Sequence, residues 1–310
     1  MTTENLWSFD KVRVGQSGPE STVAIAADDI AMYASVSQDP EPAYQAAGAS
    51  AMPTMLLSYA PLFREQIAAA NGLLAYELSE TDRRQTPFTR CECRWQRPVF
   101  AGDVITASRA VQETYTRRGS NFVVFRVAAR NQDGDPVGEY DYTCIFDYVR
   151  QPAGTAARPM PRAQTEGGVA FTSRDAIAPG QRLQPIRVTE TQETMDAKDA
   201  FRLIGERGVG SNIHTDEEFA RKNIFGTTVN SGPATMAYAA QLIENNLGPG
   251  CLGRGGRLLL RAIKPFRGND TVTFSGTISA IDANDGISVE VRGINQSGEL
   301  VCLADAQVMP

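Results

Sequence analysis

A chain of 310 residues keeps a single histidine, His214, in the stretch Gly210-Ser211-Asn212-Ile213-His214-Thr215-Asp216-Glu217-Glu218-Phe219. Imidazole is the side chain whose ordinary pKa lets it take up and release a proton near neutral pH. A loop just ahead of an acidic helix start suits a working group. The bland alternative is a polar loop histidine satisfied by a backbone carbonyl. Asp216 and Glu217 suit the capping and the positive end of the following helix. Cys91-Glu92-Cys93 begins like a metal site, yet no second pair stands at ligand spacing. Alternation along a strand turns both thiols to one buried face, so no metal is expected. Arg257, Arg261, Lys264 and Arg267 have the chemistry to grip ligand phosphates, or they form a solvated strand face. Arg90, Arg94 and Arg97 share that ambiguity. Gly253-Arg254-Gly255-Gly256 follows a helix and precedes a strand, the reverse order of a phosphate-binding turn.

Composition narrows the field. With 42% hydrophobic and 21% charged residues, the chain reads as an ordinary globular protein, and its net charge of −6 argues against a nucleic-acid surface. No apolar run reaches the ~20 residues needed to span a bilayer. The opening MTTENLWSFDKVRVG has no basic segment followed by an apolar core, so no signal peptide is expected. Five scattered cysteines fit a reducing cytoplasm.

Those residues have to be positioned by elements, and the elements come twice. Asn131-Gln132-Asp133-Gly134 and Asn295-Gln296-Ser297-Gly298 each suit a tight hairpin, because glycine tolerates positive φ. Arg97-Pro98-Val99-Phe100-Ala101-Gly102-Asp103 answers Lys264-Pro265-Phe266-Arg267-Gly268-Asn269-Asp270, each between strand-like stretches. Met52-Pro53-Thr54-Met55 and Gly232-Pro233-Ala234-Thr235-Met236 each open an amphipathic helix. Leu56, Ala60, Phe63 and Ile67 share one stripe; Met236, Ala240, Ile243 and Leu247 share the other. Residues 151–185 have the Pro, Gly and polar content of a linker between a half at 1–150 and a half at 186–310. A helix lying across a curled antiparallel sheet, made twice and joined by a linker, predicts an α+β double hot-dog. One helix covers one sheet face, so the halves complete one another as a pseudo-dimer.

On these residues the chain resembles the MaoC-like family, the (R)-specific enoyl-thioester hydratases and acyl dehydratases of double hot-dog type. IAADDIAMYASVSQDPEPAYQAAGASAMPT and QRPVFAGD look like a degenerate N-terminal dehydratase domain. NIHTDEEFARKNIFGTTVNSGP and GRLLLRAIKPFRGND look like the catalytic one. The family motif is an aspartate, four residues, then a histidine. A carboxylate and an imidazole on one loop can hold the same water while it adds across a double bond. His214 matches the histidine, but Val209 stands where the aspartate belongs. Glu206 on a stretched glycine-rich loop is one replacement. Asn212, able to orient water but not to take its proton, is a second, and Asn230 is a third. Asp39 and Tyr44 keep the same spacing in the first half with tyrosine for histidine, which implies a non-catalytic cleft there. Ser231 and Gly232 match the stretch that supplies an oxyanion N–H and a hydroxyl contact to the thioester.

The resemblance implies a lyase that hydrates or dehydrates a small acyl thioester, with His214 as general acid and base. Arg261 and Lys264 would meet the phosphates of coenzyme A or of a carrier arm. It implies no cofactor beyond the thioester carrier, no nucleic-acid or membrane partner, and a homodimer of pseudo-dimers as an expected assembly. Without the aspartate, an isomerisation, a cyclisation or a dehydration of another substrate is the alternative reading. A non-catalytic acyl-binding subunit is a third.

Overall fold

The structure, a computed structural model, describes residues 4–149, 177–205 and 212–309. Most of the expected linker, and with it Glu206 and Val209, lies outside the described residues. The first half contains β1 (Ser21–Ala24), α1 (Ala27–Val36), α2 (Leu56–Tyr59), α3 (Arg64–Ala70), β2 (Phe88–Trp95), β3 (Val104–Arg117), β4 (Ser120–Arg130) and β5 (Pro136–Asp147). The second contains β6 (Ile186–Thr189), α4 (Gln192–Ala200), α5 (Glu217–Lys222), α6 (Gly232–Leu247), β7 (Arg257–Ala262), β8 (Thr271–Ile281), β9 (Ile287–Asn295) and β10 (Leu300–Val308).

All ten strands join one antiparallel sheet in the order β1-β3-β4-β5-β2-β7-β10-β9-β8-β6. Read from either edge inward, the order is the same, so the halves are related by a pseudo-two-fold through the β2–β7 seam. There Cys91 faces Leu260 and Cys93 faces Leu258. The two sheets of the double hot-dog are continuous.

The repeated motifs fold alike because their hydrogen bonds are local. Asn131 Oδ1 accepts from the N–H groups of Asp133 and Asp135 at 3.1 and 2.9 Å. Asn295 Oδ1 accepts from Ser297 and Glu299 at 3.1 and 2.9 Å. Gly134 and Gly298 sit at φ 83° and 78°, where a side chain would be strained. Asp103 accepts from the Phe100 N–H at 2.8 Å and Asp270 from the Arg267 N–H at 2.9 Å.

The helices break the symmetry. Helix α6 is buried all round, with Met236, Ala237, Tyr238, Ala239, Ala240, Leu242 and Ile243 at 1% exposure or less. That is the pattern of a core helix. Full burial of each larger apolar side chain contributes roughly 1.5–3 kcal/mol. Its first-half counterpart, expected as one long helix through Leu56, Ala60, Phe63 and Ile67, is split into α2 and α3. Pro61 is the cause: it removes a donor and drives the residue before it out of the helical region. Ala60 accordingly sits at φ −125°, ψ 64°, and Phe63 at φ 45°. The buried guanidinium of Arg109 donates to the Pro61 carbonyl at 3.1 Å and also bonds Pro19 and Ser21, satisfying backbone that the break leaves open.

Polar groups tie the halves together beneath the sheet. Gln38 Nε2 donates to Tyr238 Oη at 2.8 Å, and Tyr238 donates to the fully buried Glu190. Glu190 also receives Thr194 Oγ1 at 2.6 Å and the Lys198 ammonium, which pins α4 against α6. Tyr44 is buried and donates to Glu244 of α6, so the tyrosine of the first-half motif packs rather than faces a ligand. Asp39 accepts from the Glu41 N–H at 3.0 Å as a turn residue.

Candidate active site

His214 lies on the turn between α4 and α5, held by its neighbours' polar groups. Asn212 Oδ1 accepts the His214 N–H at 2.7 Å and the Thr215 N–H at 3.0 Å, bending the loop. Asp216 caps α5 by accepting from the Phe219 N–H at 2.9 Å, as its position suggested. Gln192 Nε2 donates to the His214 carbonyl at 3.0 Å, and the Val229 N–H donates to the Ile213 carbonyl at 3.1 Å. The loop is thereby fastened to the segment that leads into α6.

The ring is fixed by one contact. His214 Nδ1 lies 2.7 Å from the Val229 carbonyl oxygen. A carbonyl only accepts, so Nδ1 carries the hydrogen and Nε2 keeps its lone pair. Burial pushes the imidazole below its ordinary pKa of 6.5, and the bond to Val229 opposes this only in part. The side chain is therefore a neutral base at neutral pH.

Two cavities meet at this ring. The wide one, about 760 Å³, is walled by Phe88, Tyr142, Thr235, Leu260 and Phe266, with Lys222, Lys264 and Arg267 around it. The narrow one, about 310 Å³, is walled by Tyr33, Leu57, Phe63, Phe201 and Asp199. His214 and Asn230 line both. Each cavity draws side chains from both halves. Exposed Tyr148, Ile224 and Ile263 also belong to the wide cavity's lining and give it an apolar rim.

The amino end of α6 points into the same place. Ser231 is its N-cap, with Oγ accepting from the Ala234 N–H at 3.3 Å, and Pro233 in the first turn carries no N–H. Gly232 in that first turn lines the wide cavity, where the helix dipole is positive. A side chain does not fit here: a Cβ on Gly232 would meet the Phe88 ring at 2.3–2.7 Å. Gly232→Ala is therefore expected to cost about 1–3 kcal/mol of stability by overpacking. The combined Gly232→Ala, Phe88→Ala chain should recover stability, and urea unfolding checks both. An unchanged midpoint in the single variant would contradict the packing.

The candidates named from sequence separate clearly. His214, Asn230, Ser231 and Gly232 line the cavities, whereas Asn212 lines neither and spends its Oδ1 on the His214 and Thr215 N–H groups. Asn230 is anchored through its N–H to the Phe266 carbonyl at 2.7 Å, and its Nδ2 lies 3.4 Å from Thr235 Oγ1. Glu206 lies outside the described residues. Lys264 lines the wide cavity but is ion-paired with Glu299. Arg261 lines neither cavity and pairs with Asp305 at 2.6 Å on the outer strand face. The other seam arginines behave similarly: Arg257 bonds Glu92, and Arg94 bonds Glu139 and Asp141, both at 2.7 Å. Cross-strand carboxylates, invisible to a local reading, make that run a paired strand face. Sequence reasoning missed Asp199, Phe88 and the narrow cavity, since their nearness to His214 is tertiary. Among the described residues no three His, Cys, Asp or Glu side chains converge as metal ligands, and no helix is long and apolar enough to cross a membrane.

Residues 211–298 match the MaoC like domain, and residues 13–140 match the FAS1-like dehydratase domain region. A solved MaoC-like dehydratase shares 16% identity at a TM-score of 0.69, covering 95% of this chain and 98% of that one. A MaoC-like dehydratase from Phytophthora capsici shares 14% identity at a TM-score of 0.67, covering 96% and 98%. A conserved hypothetical protein of Mycobacterium tuberculosis, described as a double hotdog fold, shares 14% at 0.59, covering 98% of both chains. No curated protein matches the sequence. The molecule is a double hot-dog protein. Within that class, its second half matches the MaoC like domain and its first half the FAS1-like dehydratase domain region.

Proposed function

We propose that the chain is a hydro-lyase that adds water to, or removes it from, an acyl thioester carried on coenzyme A or a carrier protein. The observation that carries this reading is the neutral imidazole of His214, its Nδ1–H spent on the Val229 carbonyl, lining the cavities that the amino end of α6 also meets. The thioester oxygen gains charge as the double bond is attacked, and the Gly232 N–H with the α6 dipole stabilises it. His214 Nε2 takes the proton of the attacking water and acts as acid in the reverse direction. The apolar rim suits an acyl or pantetheine arm, and Arg267 suits a carrier phosphate, joined by Lys222 and Lys264 once they exchange Glu218 and Glu299 for it. No cofactor takes part.

The test offers short and medium enoyl-CoA and hydroxyacyl-CoA substrates and follows the enoyl absorbance. Turnover in water labelled with heavy oxygen should place the label in the product. A proton shift between carbons would leave the product unlabelled and favour an isomerase. Tight acyl-CoA binding without turnover would favour a binding subunit.

A further inference from the structure

We infer that Asp199 supplies the carboxylate of the acid/base pair, from helix α4 rather than from the histidine loop; this rests on the hydro-lyase reading above. The residue five before His214 is Val209, an alkyl side chain that cannot take a proton. Among the described residues lining the two cavities, Asp199 is the only Asp or Glu. It shares the narrow cavity with His214, Asn230 and Ser231, and its side chain is 12% exposed.

One amide links it to the histidine. Asn212 Nδ2 lies 3.4 Å from Asp199 Oδ1, while Asn212 Oδ1 accepts the His214 N–H at 2.7 Å. Asp199 also adds to the electrostatic pull on the imidazole. A carboxylate in the last turn of a helix faces the negative end of the dipole and costs a few tenths of a kcal/mol. The i,i+3 pair with Arg202 at 3.1 Å offsets this only modestly, because that guanidinium is 39% exposed. Lys198 beside it is already bound to Glu190, which leaves Asp199 as the side chain by which α4 acts on the cavity.

In the step this implies, a water donates one O–H to the Asp199 carboxylate and the other to His214 Nε2. His214 takes that proton as the water oxygen bonds Cβ, and the π pair moves to Cα. The charge passes through the thioester oxygen, and the imidazolium returns the proton to Cα. One O–H bond breaks, one C–O and one C–H bond form, and both side chains end as they began, with no redox change.

The experiment compares Asp199→Asn and Asp199→Ala with the wild type on the enoyl-CoA that the wild type turns over best. Binding of a saturated acyl-CoA is measured alongside. Expected are losses in kcat of roughly 100-fold or more, with binding within about threefold of wild type. Sodium formate, a small carboxylate, should restore Asp199→Ala severalfold, whereas sodium chloride should not. Full activity in Asp199→Asn while His214→Ala is dead would overturn the inference and leave the hydro-lyase reading standing. So would a folded, acyl-CoA-binding Asp199→Ala that formate does not revive, or a loss found in Glu206→Gln and not at Asp199. A wild type without turnover on any acyl thioester would sink both readings together.

Discussion

Replacing His214 with alanine should lower kcat for acyl-thioester hydration by about 10²- to 10⁴-fold, the usual worth of a positioned acid/base group. Acyl-CoA binding should barely change, since the pocket walls and α6 remain. The wild-type pH profile carries a second signature of the same residue. Burial holds the imidazole below 6.5, so its neutral form persists into mildly acidic solution. The acid limb of the rate should therefore be centred below 6.5, because protonation removes the base. A limb centred above 6.5 would contradict the burial and the Val229 bond. Stopped-flow rates across pH 5 to 9 decide the matter.

Stability should fall with rising pH because of Glu244. Burial inside the core pushes this carboxyl from 4.5 to about 8, opposed by the Tyr44 hydroxyl that donates to it. A folded-state pKa above the unfolded one means that the native protein holds a proton the unfolded chain releases. The stabilisation is complete below about 4.5 and is lost as pH climbs through about 8. At 1.36 kcal/mol per pH unit, the loss is on the order of 5 kcal/mol at most. Glu244→Gln, which keeps the shape and needs no proton, should flatten the urea midpoint between pH 5 and 8. Asp39, whose carboxyl burial also raises, leaves a smaller residual slope. An equally steep slope in both chains would refute this account.

What the sequence made legible was whatever folds through near neighbours. The paired Asn-Gln-x-Gly turns and the Pro-to-Asp loops close their own hydrogen bonds within five residues, so their repetition announced the duplicated plan. Asp216 as a cap was visible for the same reason. The broken first-half helix was not, because an apolar stripe at helical spacing ran straight through Pro61 and outweighed it. The seam arginines misled because their carboxylates come from other strands. Asp199 gave no sign at all: fifteen positions from His214, it approaches only when Glu190, Lys198 and Tyr238 lock α4 onto α6.

The β2–β7 ladder has a consequence for dissecting the molecule. Either half made alone would present a bare strand with unsatisfied N–H and C=O groups, and in the second half that strand carries Leu258, Leu259 and Leu260. Such an edge invites pairing with any other chain. Separate halves should precipitate or pair with copies of themselves, while co-production should rescue both in soluble form.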